Sequence, residues 1–164
     1  MIPSFHISSM DSGPLHWARL VHERLAVVAM FAYSHAALAE LRKQLPGERK
    51  FLDKVIYDIP KETATQALVD FALYFRALDD QQGLSDVWKL HQHPPTVGLL
   101  VMKEGETKPL SPRKMSNTVI HAERIDWNLS SDPKVTCVGR DKEKWSRSEI
   151  EIKLLLAVGG HLGS

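Results

Sequence analysis

Apolar side chains recur at helical spacing from Leu15 to Leu45, and no Gly or Pro interrupts them until Pro46 and Gly47. With Ser12 as a cap and Pro14 in the first turn, the stretch predicts a single helix of about thirty residues. At 1.5 Å per residue that is about 45 Å, against about 40 Å for a compact domain of this size. The helix therefore either breaks near Ser34 and His35 or lays its excess length against something else, most simply a second copy of the chain. Its middle carries Leu25, Val27, Val28, Met30, Phe31, Tyr33 and Leu38, which point all round the axis, so every face needs cover.

Phe51, Leu52, Val55 and Ile56 keep helical spacing, although Lys54 to Ile59 also fits a short strand. Pro60 opens a second long helix, in which Ala64, Ala67, Leu68, Phe71, Phe75 and Leu78 form one stripe and Gly83 is the stop. Ser85 is a cap for a short helical turn through Trp88 and Leu90, ended by Pro94 and Pro95. The pattern then changes period. Thr96 to Met102 reads as a buried strand, Lys103 to Glu106 as a turn, and Thr107 to Lys114 as an irregular connection broken by Pro109 and Pro112.

From Thr118 to Leu129 the chain alternates, with Ile125, Trp127 and Leu129 on one face and Arg124, Asp126 and Asn128 on the other. Asp132 and Pro133 turn it, and Val135 to Arg140 returns antiparallel. Ser146 and Glu149 have capping-box spacing ahead of Ile150, Ile152, Leu154, Leu155 and Val158, which predicts a last helix closed by Gly159 and Gly160. The expected fold is α+β: two long N-terminal helices and a C-terminal helix packed on a small antiparallel sheet of about three strands, in one domain spanning residues 1–164.

Composition narrows the chemistry. With 164 residues, 43% hydrophobic and 25% charged, the chain can build one core without disulfides. The single cysteine, Cys137, excludes an internal disulfide framework and fits a reducing, cytoplasmic setting. Met1 to Met10 has neither Lys or Arg nor a sustained apolar run, so export is not expected, and the acceptor triplet Asn128, Leu129, Ser130 has no chemistry behind it. The longest uncharged stretch, Leu25 to Ala39, is fifteen residues, short of the roughly 20 that cross a bilayer, and reads as a core helix rather than a membrane span.

Nine basic and ten acidic residues through Gln82, and twelve and ten after it, give halves of −1 and +2. Acids interleave with the cations of the connections around Lys103 to Lys114 and Arg140 to Arg147, so nucleic-acid binding is not expected.

Eight histidines raise the question of a metal or a general base. His16 and His22 are six apart and diverge on a helix. His91 and His93, in a segment that Pro94 and Pro95 hold extended, are the candidate metal pair, without an assured third ligand. His35 sits in the most apolar helix, as a core or interface group. His121 and Glu123 share a strand parity with Ile125 and Trp127, which suggests a base and an acid beside an aromatic wall at the sheet rim; Asp126 faces the other way. Cys137 lies mid-strand as a small core group, the glycines after Val158 follow a helix rather than join a strand to one, and Asp79 with Asp80 reads as a solvated helix end.

Two functions follow. The first is a non-enzymatic binding module that dimerises through its first helix, with a protein or a small apolar ligand as partner and Trp17, Trp88, Trp127 and Trp145 as anchors. The second is a small enzyme using His121 and Glu123, assisted by a metal at His91 and His93. No cofactor is specified.

Overall fold

The computed structural model describes residues 9–47 and 49–162, with side chains over 16–47 and 51–162. The architecture is α+β, helices first and sheet second. Helix α1 (Ser9–Gln44) is unbroken at Ser34 and His35 and already formed at Ser9, so Ser12 and Pro14 lie inside it rather than at its start. Its 36 residues make it about 54 Å long. After the turn at Pro46 the chain is helical again: α2 (Arg49–Asp53), a π turn (Lys54–Asp58) and α3 (Ile59–Gln82) follow one another without a break.

Pro60 accounts for the π turn. Proline has no N–H for the bond four residues back, and its ring crowds the carbonyl there. The turn widens just ahead of it, and the Ile59 N–H bonds to the Lys54 carbonyl, five residues back.

Helices α1 and α3 form an antiparallel hairpin, tied by Arg24 near Asp70 (4.0 Å) and by Trp17 against Tyr74 (5.7 Å between ring centres). The stripe expected on α3, Ala64 to Leu78, is buried throughout, and Phe71 stacks on Phe75. Gly83 adopts the left-handed conformation (φ 64°) that closes α3, and α4 (Leu84–Lys89) starts directly after it.

The sheet has five strands rather than about three, in the order β2-β1-β5-β4-β3, every pair antiparallel. Three of them are near expectation: β1 (Gly98–Met102), β3 (Ala122–Asn128) and β4 (Lys134–Gly139). The other two overturn sequence readings. Thr107–Pro109 is not irregular but forms β2, an edge strand beside β1, where proline's missing N–H can face away from the ladder. Trp145–Glu151 is not the cap and first turn of a helix but the central strand β5. Its Ser148 is fully buried and donates to the Thr118 hydroxyl at 2.9 Å.

Helix α6 (Ile152–Gly160) starts where β5 ends, with no intervening loop. A further helix, α5 (Pro112–Ile120), replaces the rest of the expected connection and the expected start of β3. Ser111 caps it by accepting from the Lys114 N–H, and Pro112 fills the first turn, where a missing N–H costs nothing.

Gly98 lets β1 and β5 close up: its φ is 151°, and a Cβ there would lie 1.8 Å from the Glu149 carbonyl oxygen. The core lies where α3 meets α1, α5 and the sheet, with Phe71, Phe75, Leu110, Met115, Val135, Cys137, Trp145 and Ile150 in one cluster. Each large side chain so buried contributes about 1.5–3 kcal/mol. Trp127 of β3 ties sheet to helices, donating from Nε1 to the Thr65 hydroxyl at 2.9 Å and meeting Phe31 edge-on at 5.0 Å.

Candidate functional site

Helix α1 carries two apolar stripes. Ala18, Val21, Leu25, Val28 and Ala32 recur three and four apart and are buried against the rest of the chain. On the far side Ala26, Met30, Tyr33, Ala37 and Leu41 repeat at the same kind of interval and are exposed, Met30 at 74%, Tyr33 at 49% and Leu41 at 43%. One chain therefore covers one side of the helix. At and past the turn Leu45, Phe51 (65%), Val55 (64%) and Ile59 are exposed as well. The helix over His16–Gln44 is also long and apolar enough to cross a bilayer by length and composition, with 22% of its most apolar window buried.

A heptad-like seam of this kind is what a second helix recognises: knobs three and four apart insert between those of the partner. Small Ala26 and Ala37 beside large Met30 and Tyr33 supply alternating relief. One heptad earlier the same positions carry Arg19 and Glu23, paired at 2.9 Å, so the apolar seam starts at Ala26; near its other end Lys43 pairs with Glu40 at 3.1 Å.

The residues singled out in the sequence fall in three places. His91 and His93 are exposed beyond α4 and line a cavity of about 410 Å³ together with His161, Trp88, Leu154 and Val158. Among the described residues, no three His, Cys, Asp or Glu side chains gather closely enough to hold a metal ion. His121 is not on a strand but at the C-terminal cap of α5, its backbone N–H bonded to the Asn117 carbonyl. Glu123 lies where the β3–β4 register shifts, between Ala122 and Arg124, which breaks the parity expected to align the two. Both side chains are exposed, and no hydrogen bond joins them.

Asp79 departs most from expectation. It is 4% exposed rather than solvated, and it accepts from the Ser85 N–H and hydroxyl at 2.7 Å each and from Arg113 Nη1 at 3.0 Å. Arg113 also reaches Asp80 at 2.6 Å. That bond, then the one to Asp79, raises the arginine's pKa against the desolvation that lowers it. Next along the groove, Arg76 donates to Asn117 at 3.0 Å. These contacts pin α5 and the start of α4 to the end of α3. The pattern that could have shown it is a carboxylate just before Gly83 followed by a restarting helix whose first N–H groups need an acceptor.

Cys137 is buried mid-strand as expected. Burial pushes its thiol up to about 12, against a hydrogen bond with Ser148 that lowers it, so it is no nucleophile at neutral pH. The cations of the connections are engaged locally: Lys103 donates to the carbonyls of Arg140 and Asp141, Arg147 pairs with Glu149, and Lys153 with Asp132.

Comparison with known proteins finds no matching family model, no similar curated protein and no similar solved structure.

Proposed function

We propose that the protein is a non-enzymatic interaction module that works as a cytoplasmic homodimer, with the outer stripe of α1 as its interface. The observation that carries this reading is the pair of stripes on one helix, of which the described residues cover only one. Residues 26–41 present a seam about 24 Å long. At a helix width of about 10 Å that is roughly 240 Å² per partner, small against the roughly 800 Å² of a stable interface. Leu45, Phe51 and Val55 are exposed beyond the end of the seam, and a second copy that reaches them as well enlarges the contact.

The test is the mass in solution. Analytical ultracentrifugation at high micromolar concentration gives twice 18.5 kDa, and Met30→Glu with Tyr33→Glu gives the single-chain mass with an unchanged far-ultraviolet circular dichroism spectrum. A wild-type chain that stays monomeric overturns the reading. So does a chain that sediments with phosphatidylcholine vesicles and forms no dimer in buffer, because the stripe would then belong to lipid.

A further inference from the structure

A second feature of the hairpin lies on the inner side of α1, away from the outer stripe. The last third of α1 and the π turn stand apart and enclose a cavity of about 700 Å³ whose walls include His35, Leu38, Ala39, Ile56 and Tyr57. Small-molecule sites run from about 300 to 1,000 Å³ and are mostly apolar with a few placed polar groups. A smaller cavity of about 420 Å³ lies on the other side of His35 and Tyr57, toward Trp127.

The two cations at the mouth are already paired, and the remaining charge on the lining is a carboxylate, Asp58, which repels an anion. Arg42 spans the gap, its Nη2 donating to Asp53 Oδ2 at 2.8 Å and its Nε 2.7 Å from Oδ1, while Lys43 turns to Glu40. An anionic guest would have to break the Arg42–Asp53 pair to gain a cation. What remains for a guest is the aliphatic wall, the His35 and Tyr57 rings with their hydrogen-bonding groups, and the Asp58 carboxylate at the edge; Lys61 lies over the Tyr57 ring at 5.7 Å. His35 and Tyr57 meet edge-on at 6.4 Å, and Tyr57 also touches Phe31, whose ring lies 6.2 Å away.

The π turn is what brings Ile56 and Tyr57 to this wall. Such single-turn widenings occur frequently at functional sites, and Pro60 fixes this one in place.

We infer that this cleft binds an uncharged small molecule with a ring-sized apolar body and one hydrogen-bonding group, held between Leu38, Ala39 and Ile56 and met by His35 or Tyr57. This goes beyond self-association and stands without it, because the two surfaces lie on different sides of α1.

The test uses two related dyes, neutral N-phenyl-1-naphthylamine and anionic 8-anilinonaphthalene-1-sulfonate, titrated by fluorescence into the full chain. The neutral dye saturates at one site per chain, and the anionic one binds about tenfold or more weakly. Ala39→Trp, which fills the cleft, lowers affinity for the neutral dye about tenfold with unchanged thermal melting. Leu38→Glu, which charges the same wall, is the second variant and lowers it likewise. Met30→Glu with Tyr33→Glu leaves neutral-dye binding unchanged, whatever it does to the mass in solution. Absence of saturable binding, equal or tighter binding of the anionic dye, or indifference to both cleft variants overturns the inference. Loss of the neutral dye with the Met30 and Tyr33 changes overturns it too, by assigning the dye to the outer stripe.

Discussion

Helices α1 and α3 lie side by side, are both long and are both rich in Ala and Leu, yet they solve different problems. Helix α3 has one main apolar sector, and the chain covers it from end to end: Ala64, Leu68, Phe71, Phe75 and Leu78 are all buried. Helix α1 has two apolar sides, and the same core reaches only one. A domain of this size holds one core. The difference teaches that, among the described residues, the outer side of α1 is left without cover by this fold, which is the feature the proposed interface rests on.

The comparison can be broken at several strengths. Phe75→Ala, in the covered stripe, removes a fully buried ring stacked on Phe71 and on Trp88, and chemical denaturation should show a loss of about 3–5 kcal/mol. Asp79→Ala tests whether the covered side also depends on its polar tie. It leaves the Ser85 N–H and Arg113 without their acceptor and should cost about 2 kcal/mol by the same measurement, less than a deeply buried pair because Arg113 is part-exposed.

The core beneath α3 also has a titratable signature. Cys137 keeps its proton when folded up to about 12, whereas the unfolded thiol releases it near its ordinary 9.0. Between these values the unfolded state binds fewer protons, so stability falls as pH rises, by about 1.4 kcal/mol one unit above the unfolded value. Urea melts at pH 8 and 10 should show this fall, and Cys137→Ala should remove it. The smallest effect belongs to the outer stripe: Met30→Ala should change the stability of the single chain by no more than about 0.5 kcal/mol. It should nevertheless flatten the rise of Tm with protein concentration that a dimer shows.

What was legible in the sequence follows the same division. A one-sided stripe between a proline and a glycine, as in α3, names its element and its core face together. Strand β5 was not legible because Trp145 to Glu151 runs into α6 with no turn between them. Ser146 and Glu149 happen to stand at capping distance, and the buried Ser148 disguises the inward face of the strand. Helix α5 did leave a signal in Ser111 followed by Pro112, but two prolines three apart read more strongly as a break. With α5 unseen, His121 seemed to stand on a strand, and the site built on it with Glu123 inherited that displacement. The exposed outer stripe of α1 was legible as part of an all-round apolar helix, since apolar spacing shows directly in sequence. The cleft was not, because it depends on how far a π turn holds two helices apart.

The contact between α1 and α6 spans nearly the whole chain. His22 Nε2 lies 2.9 Å from the Gly159 carbonyl oxygen, and a Cβ on Gly159 would lie 2.2 Å from Leu25 Cδ2, so a larger residue there would make the Leu25 side chain shift. During synthesis α3 follows α1 closely and can pair with it, whereas the part of Leu25's seat that Gly159 supplies comes only with α6. Until then the inner side of α1 is covered by α3 but not closed at its α6 end, so the last helix completes a surface that the hairpin begins.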